Sequence, residues 1–255
     1  AEIAGAALLY WGFIRHGMPV AESFYCAVFH SVSAFCNAGF SPFPDGLNGF
    51  SLSVIVPATV MMLIILGGIG FPVFANCWES FRNKKRISHY SKLVIYLTFW
   101  LIAVGTLMLL ISDWDSGLAG LPRWARFSNA LFTSVTTRTA GFDTVQPSSF
   151  SGLGKVLMIV LMIIGASPAS TGGGIKTTTL GVLAIAAWNE MLGRDENNFW
   201  HRKIANSSVR RALTMAFMYV ITFFIGAVVL SLIEDFSFET LLFEAVSAMG
   251  TVGLS

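Results

Sequence analysis

The residues with chemistry to offer lie between Ser134 and Asp143, S-V-T-T-R-T-A-G-F-D, a polar stretch flanked by apolar runs. Its outline recurs twice. Ser33 to Ser41 reads S-A-F-C-N-A-G-F-S, and Ser247 to Ser255 reads S-A-M-G-T-V-G-L-S. Aligned on the glycine, the cores are Asn37-Ala38-Gly39-Phe40, Thr139-Ala140-Gly141-Phe142 and Thr251-Val252-Gly253-Leu254. Each is polar, small apolar, glycine, large apolar. No nucleophile–base pair and no His/Cys/carboxylate cluster with metal spacing stands out. The glycine run Gly172-Gly173-Gly174 lacks the following G-K-[ST] of a phosphate loop. The chemistry on offer is coordination by oxygen, not covalent catalysis.

A cation stripped of water needs a tight ring of oxygen ligands, and backbone carbonyls can supply it. Successive carbonyls aim at one axis only through unusual dihedrals, which glycine adopts at little steric cost. The Asn or Thr of each core can add a side-chain oxygen. Thr251-Val252-Gly253 matches the opening of the potassium-channel filter T-V-G-Y-G. Three copies, each at the end of a short helix and the first two followed by an apolar span, predict one pore-lining loop built repeatedly in a single chain. Arg138 occupies the place of Cys36 and Gly250 in the other copies. A cation on the axis would repel permeating cations, so Arg138 is expected to be structural and to point behind the loop, paired with Glu22, Asp143 or Glu244.

The rest of the sequence must hold these loops in a membrane. Of its 255 residues 55% are hydrophobic and 12% charged, against roughly 25% charged in soluble domains, and mean hydropathy is +0.69. An all-α polytopic membrane protein follows. A net charge of +2 gives no reason to expect a nucleic-acid partner. Three cysteines, Cys26, Cys36 and Cys77, supply no disulfide framework. Glu22–Phe35, Trp124–Thr136 and Phe238–Ala248 are too short to cross ~30 Å of hydrocarbon and read as re-entrant pore helices. Leu52–Trp78, Leu93–Ile111 and Leu213–Ile233 read as spans, the first with a bend near Gly67, Gly68, Gly70 and Pro72.

Basic loops around Arg82-Asn83-Lys84-Lys85-Arg86 and Arg194 to Arg211 are expected on the cytoplasmic side. The unit is span, pore helix, filter, span, arranged around a pseudo-fourfold pore. Residues 1–81 read as a second repeat, 82–91 as a cytoplasmic loop, and 92–192 as a third repeat. Residues 193–207 read as another cytoplasmic loop and 208–255 as a fourth repeat. The chain is therefore expected to be a fragment, with a first repeat upstream.

The third repeat breaks at Gly165-Ala166-Ser167-Pro168-Ala169-Ser170-Thr171-Gly172-Gly173-Gly174-Ile175-Lys176. Pro168 and the glycines cannot sustain a lipid-facing helix. Gly165, Ser167, Ser170, Thr171, Gly172, Gly173, Gly174 and Lys176 are expected to form a polar gating loop in the water-filled cavity below the filter.

Ser134 to Phe142, the interrupted helix from Ser170 to Thr179 and the two companion loops resemble the Trk/Ktr/HKT potassium-transporter superfamily across essentially the whole chain. The ending Ile175-Lys176-Thr177-Thr178-Thr179 is closer to KtrB than to TrkH. The resemblance implies a non-enzymatic membrane subunit for potassium uptake in the cell membrane. It assigns potassium binding to Asn37, Ala38, Gly39, Thr139, Ala140, Gly141, Thr251, Val252 and Gly253, with no covalent cofactor. It implies sodium as an activator, a homodimer in the bilayer, and a cytoplasmic nucleotide-binding ring of the KtrA/TrkA kind as regulator. The alternative is a sodium-coupled secondary transporter with a broken-helix substrate site. That reading expects inverted repeats, whereas these run in one direction.

Overall fold

A computed structural model describes residues 1–84, 86–194, 198–199 and 202–255. The order is α1 (Glu2–Arg15), α2 (Val20–Phe35), α3 (Ile55–Ile69), α4 (Phe71–Asn83), α5 (His89–Ser112), α6 (Arg123–Thr136), α7 (Gly152–Ile163), α8 (Thr177–Met191), α9 (Asn206–Ile233) and α10 (Phe238–Gly250). Two short 3-10 turns lie in the connections at Asn48–Phe50 and Pro147–Ser149. A two-stranded antiparallel hairpin, β1 (Asn198–Phe199) with β2 (Arg202–Lys203), lies before α9. It falls within residues 193–207, read above as a loop.

Among the described residues, α5 with 24 and α9 with 28 residues are long and apolar enough to cross a bilayer. The expected span Leu52–Trp78 is broken instead. At Gly70 the chain turns so that α3 and α4 are bent by 94°. Gly70 takes φ +91°, and a Cβ there would come within 2.6 Å of the Pro168 carbonyl oxygen. A close approach from a distant segment selects the glycine and converts a bend into an elbow. The expected broken span is also seen, with α7 and α8 on either side of residues 164–176.

Two apolar clusters position the short helices. Leu9, Phe13, Val56, Val60 and Leu63 of α1 and α3 pack with Cys26 and Ala34 of α2 and Phe132 and Val135 of α6. Leu109 of α5, Met158 and Met162 of α7, and Phe243 and Val246 of α10 form the second. The end of α5 is tied to the start of α7 through the buried Asp113. Its carboxylate accepts from Ser112 Oγ at 2.5 Å, Ser116 Oγ at 2.7 Å and the Ser151 N–H at 2.6 Å. Burial pushes this carboxyl up, but the Ser112, Ser151 and Ser116 bonds outweigh it and hold it below the usual carboxylate range.

Candidate functional site: three loops and the segment beneath them

Each short helix ends at one of the repeated cores. α2 stops at Phe35 before Asn37, α6 at Thr136 before Thr139, and α10 at Gly250 before Thr251. None has a basic residue in its last turn. Three helix C-termini, each with about half a negative charge, therefore meet the loops with no cation in their last turns, and the buried Arg138 follows the end of α6 by two residues.

The loops share a backbone conformation as well as a sequence outline. φ is +51° at Asn37 and +74° at Gly39, +73° at Thr139 and +78° at Gly141, and +53° at Thr251 and +87° at Gly253. Ala38, Ala140 and Val252, between them, are not among the positive-φ residues. The triplets lie side by side. A Cβ on Gly39 would come within 2.6 Å of the Ala140 carbonyl oxygen, and one on Gly141 would overlap the Val252 carbonyl oxygen.

A hydroxyl secures each triplet from behind, a feature the sequence reading missed. Ser33 Oγ donates to the Phe40 carbonyl at 2.8 Å, Thr136 Oγ1 to Phe142 at 2.6 Å and Ser247 Oγ to Leu254 at 2.6 Å. Ser33 and Ser247 stand six residues before their glycines and Thr136 five before its own. A search for a hydroxyl at fixed distance from the glycine would have found two of the three. The backbone follows the same offset: the Ala38 and Val252 N–H groups bond Ser33 and Ser247, while Ala140 bonds Thr136. His30, also unforeseen, is buried between Phe13, Phe43 and Phe142. Its Nε2 lies 3.0 Å from Ser41 Oγ and braces the turn after the first triplet.

Residues 164–176 form a closed lobe against the triplets. Ile164 and Ile175 pair as a parallel bridge. The Gly165 N–H donates to the Ile175 carbonyl at 3.0 Å and the Ile175 N–H to Ile163 at 3.1 Å. Ser167 Oγ lies 3.0 Å from Thr177 Oγ1, Ser170 Oγ donates to the Ser167 carbonyl, and Lys176 Nζ donates to the Gly172 carbonyl. Lys176 thus braces the lobe from within. Gly165 packs on Gly173 and Gly174, the last at φ +68°.

From this lobe three consecutive residues reach the polar member of each triplet. Asn37 Nδ2 donates to Thr171 Oγ1 at 3.1 Å, and the Gly173 N–H donates to Thr251 Oγ1 at 2.9 Å. Gly172 lies so close to Thr139 that a Cβ would overlap the Thr139 hydroxyl. Three consecutive residues are thus set against three polar side chains, Thr139 from their own repeat and Asn37 and Thr251 from the other two.

Arg138 departs from expectation in its partner. It is buried, 8% exposed, beside a small cavity lined by Ile64, Ile65, Thr98, Ile102 and Val135. Among the described residues no carboxylate pairs with it, and its Nε has no hydrogen-bond partner. Of the acids expected to serve, Asp143 accepts from Asn48 Nδ2 at 3.1 Å, while Glu244 lies among Lys155, Glu239 and Thr240 at another surface. The other residues lining this cavity belong to α3, α5, α6 and, through Ala166, the 164–176 segment, and none of them carries a counter-charge.

The profile of TrkH, a cation transport protein family, matches residues 3–255. The potassium/sodium uptake protein NtpJ of Enterococcus hirae is 36% identical over 260 residues, covering 100% of this chain and 57% of that protein. The Ktr system potassium uptake protein B of Vibrio alginolyticus is 33% identical over 258 residues, covering 100% of this chain and 56% of its own length. The chain thus spans about half the length of the curated relatives it matches. In fold it is similar to the potassium transporter TrkH from Vibrio parahaemolyticus, with a TM-score of 0.72 and 21% identity over 99% of this chain and 54% of that one. The matched profile, the two relatives and the shared fold agree, and the chain belongs to the TrkH family of cation transport proteins.

Proposed function

We propose that this protein takes up potassium through a filter of backbone carbonyls at Asn37–Gly39, Thr139–Gly141 and Thr251–Gly253, gated by residues 165–176. As a member of a cation transport family the chain is an integral protein of the cell membrane and not an enzyme. The observation that carries the filter reading is the φ alternation common to the three triplets. Backbone whose φ alternates positive, negative, positive can turn successive carbonyls toward one side, as a cation-stripping ring needs. The three converging helix C-termini add negative potential where the ion would pause. The triplets form three sides of a fourfold ring, and the fourth comes from a repeat outside these 255 residues. Residues 1–81, 92–192 and 208–255 are then the second, third and fourth repeats, with 82–91 and 193–207 facing the cytoplasm.

The gating reading rests on Thr171, Gly172 and Gly173 lying against Asn37, Thr139 and Thr251. A segment so placed obstructs an ion leaving the triplets. Its removal from the path is assigned to a cytoplasmic nucleotide-binding ring, on a protein that works as a homodimer and responds to sodium. Potassium uptake by the full-length protein in transporter-deficient cells tests the whole reading. Uptake should need the protein, favour potassium over sodium, and rise when Ala169 to Gly173 are deleted. Failure to restore potassium uptake by a correctly inserted protein would reject it.

A further inference from the structure

We propose that α4 is a membrane-surface helix whose aromatic and basic residues bind anionic phospholipid headgroups and transmit that binding to the lobe at 164–176. The coupling half rests on the reading of that lobe as a gate. The lipid half stands on α4 itself. Phe71, Phe74, Trp78 and Phe81 recur at spacings of three, four and three, which places them on one stripe of a helix. All four are exposed, at 76%, 54%, 63% and 87%.

The opposite face of α4 is occupied. Val73 and Ser80 are buried, and Asn76 Oδ1 accepts from the Ser88 N–H at 3.0 Å, at the N-cap of α5. The aromatic stripe therefore points away from the described residues. Arg82, Lys84 and Arg86, all exposed, follow it at the same end.

This arrangement selects its occupant. The 94° elbow lays α4 across the direction of α3, beside the start of the spanning helix α5. A helix at that level meets the bilayer surface. Phenylalanine and tryptophan with adjoining arginine and lysine are the side chains that seat there, rings among the acyl-chain ends and cations among phosphates. A second copy would have to cover four exposed rings and three cations together, and that outcome is one the test below separates from lipid binding.

The same elbow is bonded to the lobe. The Phe71 N–H donates to the Ala169 carbonyl at 3.3 Å and the Ser167 N–H to the Gly68 carbonyl at 3.1 Å. Gly70 sits against the Pro168 carbonyl oxygen. A change in the seating of α4 therefore reaches residues 167–169 through two backbone bonds and one close contact.

The test uses the full-length protein and two variants, R82Q/R86Q and F74S/W78S, in vesicles of phosphatidylcholine with and without phosphatidylglycerol. Retained lipid is counted by mass spectrometry after detergent extraction, and potassium flux is measured on the same vesicles. The unaltered protein should retain phosphatidylglycerol over phosphatidylcholine, and R82Q/R86Q should lose that preference by roughly tenfold. Flux should depend on phosphatidylglycerol in the unaltered protein and not in R82Q/R86Q. Equal retention by both proteins overturns the lipid site. Unequal retention with lipid-independent flux overturns the coupling, and deleting Ala169 to Gly173 then shows separately whether the lobe is a gate at all. Dissociation of an oligomer by F74S/W78S, with retention unchanged, would assign the stripe to a second copy and overturn the proposal.

Discussion

The backbone N–H of Gly173 donates to the hydroxyl of Thr251 at 2.9 Å, joining the interrupted helix to a triplet in another repeat. With Asn37 on Thr171 at 3.1 Å, it ties the lobe to two sides of the site. Each such bond contributes about 1 kcal/mol, small enough for a partner to reverse.

Thr171→Val removes one of these ties and leaves the triplets intact. Loss of ~1 kcal/mol shifts a two-state lobe about fivefold. Potassium flux in vesicles should rise by up to that factor, with reduced dependence on the cytoplasmic partner. Unchanged flux and partner dependence would show that the lobe is fixed by other contacts.

Gly141→Ser should damage ion discrimination. The position needs φ +78°, and any Cβ overlaps the Val252 carbonyl oxygen. Left-handed backbone with a side chain costs roughly 1–2 kcal/mol, and the neighbouring triplet must move as well. The sodium-to-potassium permeability ratio should rise. Gly49→Ala, where a Cβ meets nothing within 4 Å, should leave it unchanged and serves as the control.

Thr136→Val tests the hydroxyl latch. It strands the Phe142 carbonyl, which Thr136 Oγ1 reaches at 2.6 Å. A buried acceptor left unpaired costs about 1–3 kcal/mol. Thermal stability of the purified protein should fall accordingly, and discrimination with it, while Thr136→Ser should restore both.

Arg138→Met should assemble and keep or gain stability. A buried cation that pairs with no acid among the described residues carries a desolvation cost that a similar-sized apolar side chain avoids. The charge behind the central triplet would be lost, so ion occupancy should change while folding does not. A fall of ~3 kcal/mol or more in unfolding measurements would reveal a counter-charge from elsewhere in the protein.

Asp113→Asn should loosen the junction between α5 and α7 by roughly 1–3 kcal/mol. The carboxyl is held below its unfolded value, so its contribution is complete above about pH 4. It is lost as pH falls through the lower folded value. Acid unfolding of the unaltered protein should show this loss, and the variant should lack it.

How much of this was legible depends on the range of the interaction. The three glycines were visible because their need is local: a positive φ excludes most side chains, and the repeats supplied the comparison. The restart of α8 at Thr177 was visible too, since Pro168 and three glycines end a helix by their own chemistry. The elbow at Gly70 was read only as a bend. Its sharpness comes from Pro168, which no window around Gly70 contains. Arg138 was given an acid because nearby carboxylates looked available. Asp143 is engaged by Asn48 instead, a contact between segments that sequence spacing does not relate. The hydroxyl latches were hidden by the one-residue offset at Thr136.

Only glycine is common to all three triplets, yet their torsion signs agree at every position. What the repeats preserve is therefore a handedness and not a spelling. Asparagine can stand for threonine, and valine for alanine, because neither pair is read by its letters. A further copy of this loop, in this protein or another, is better sought as an alternation of chirality along the main chain than as a string of residues.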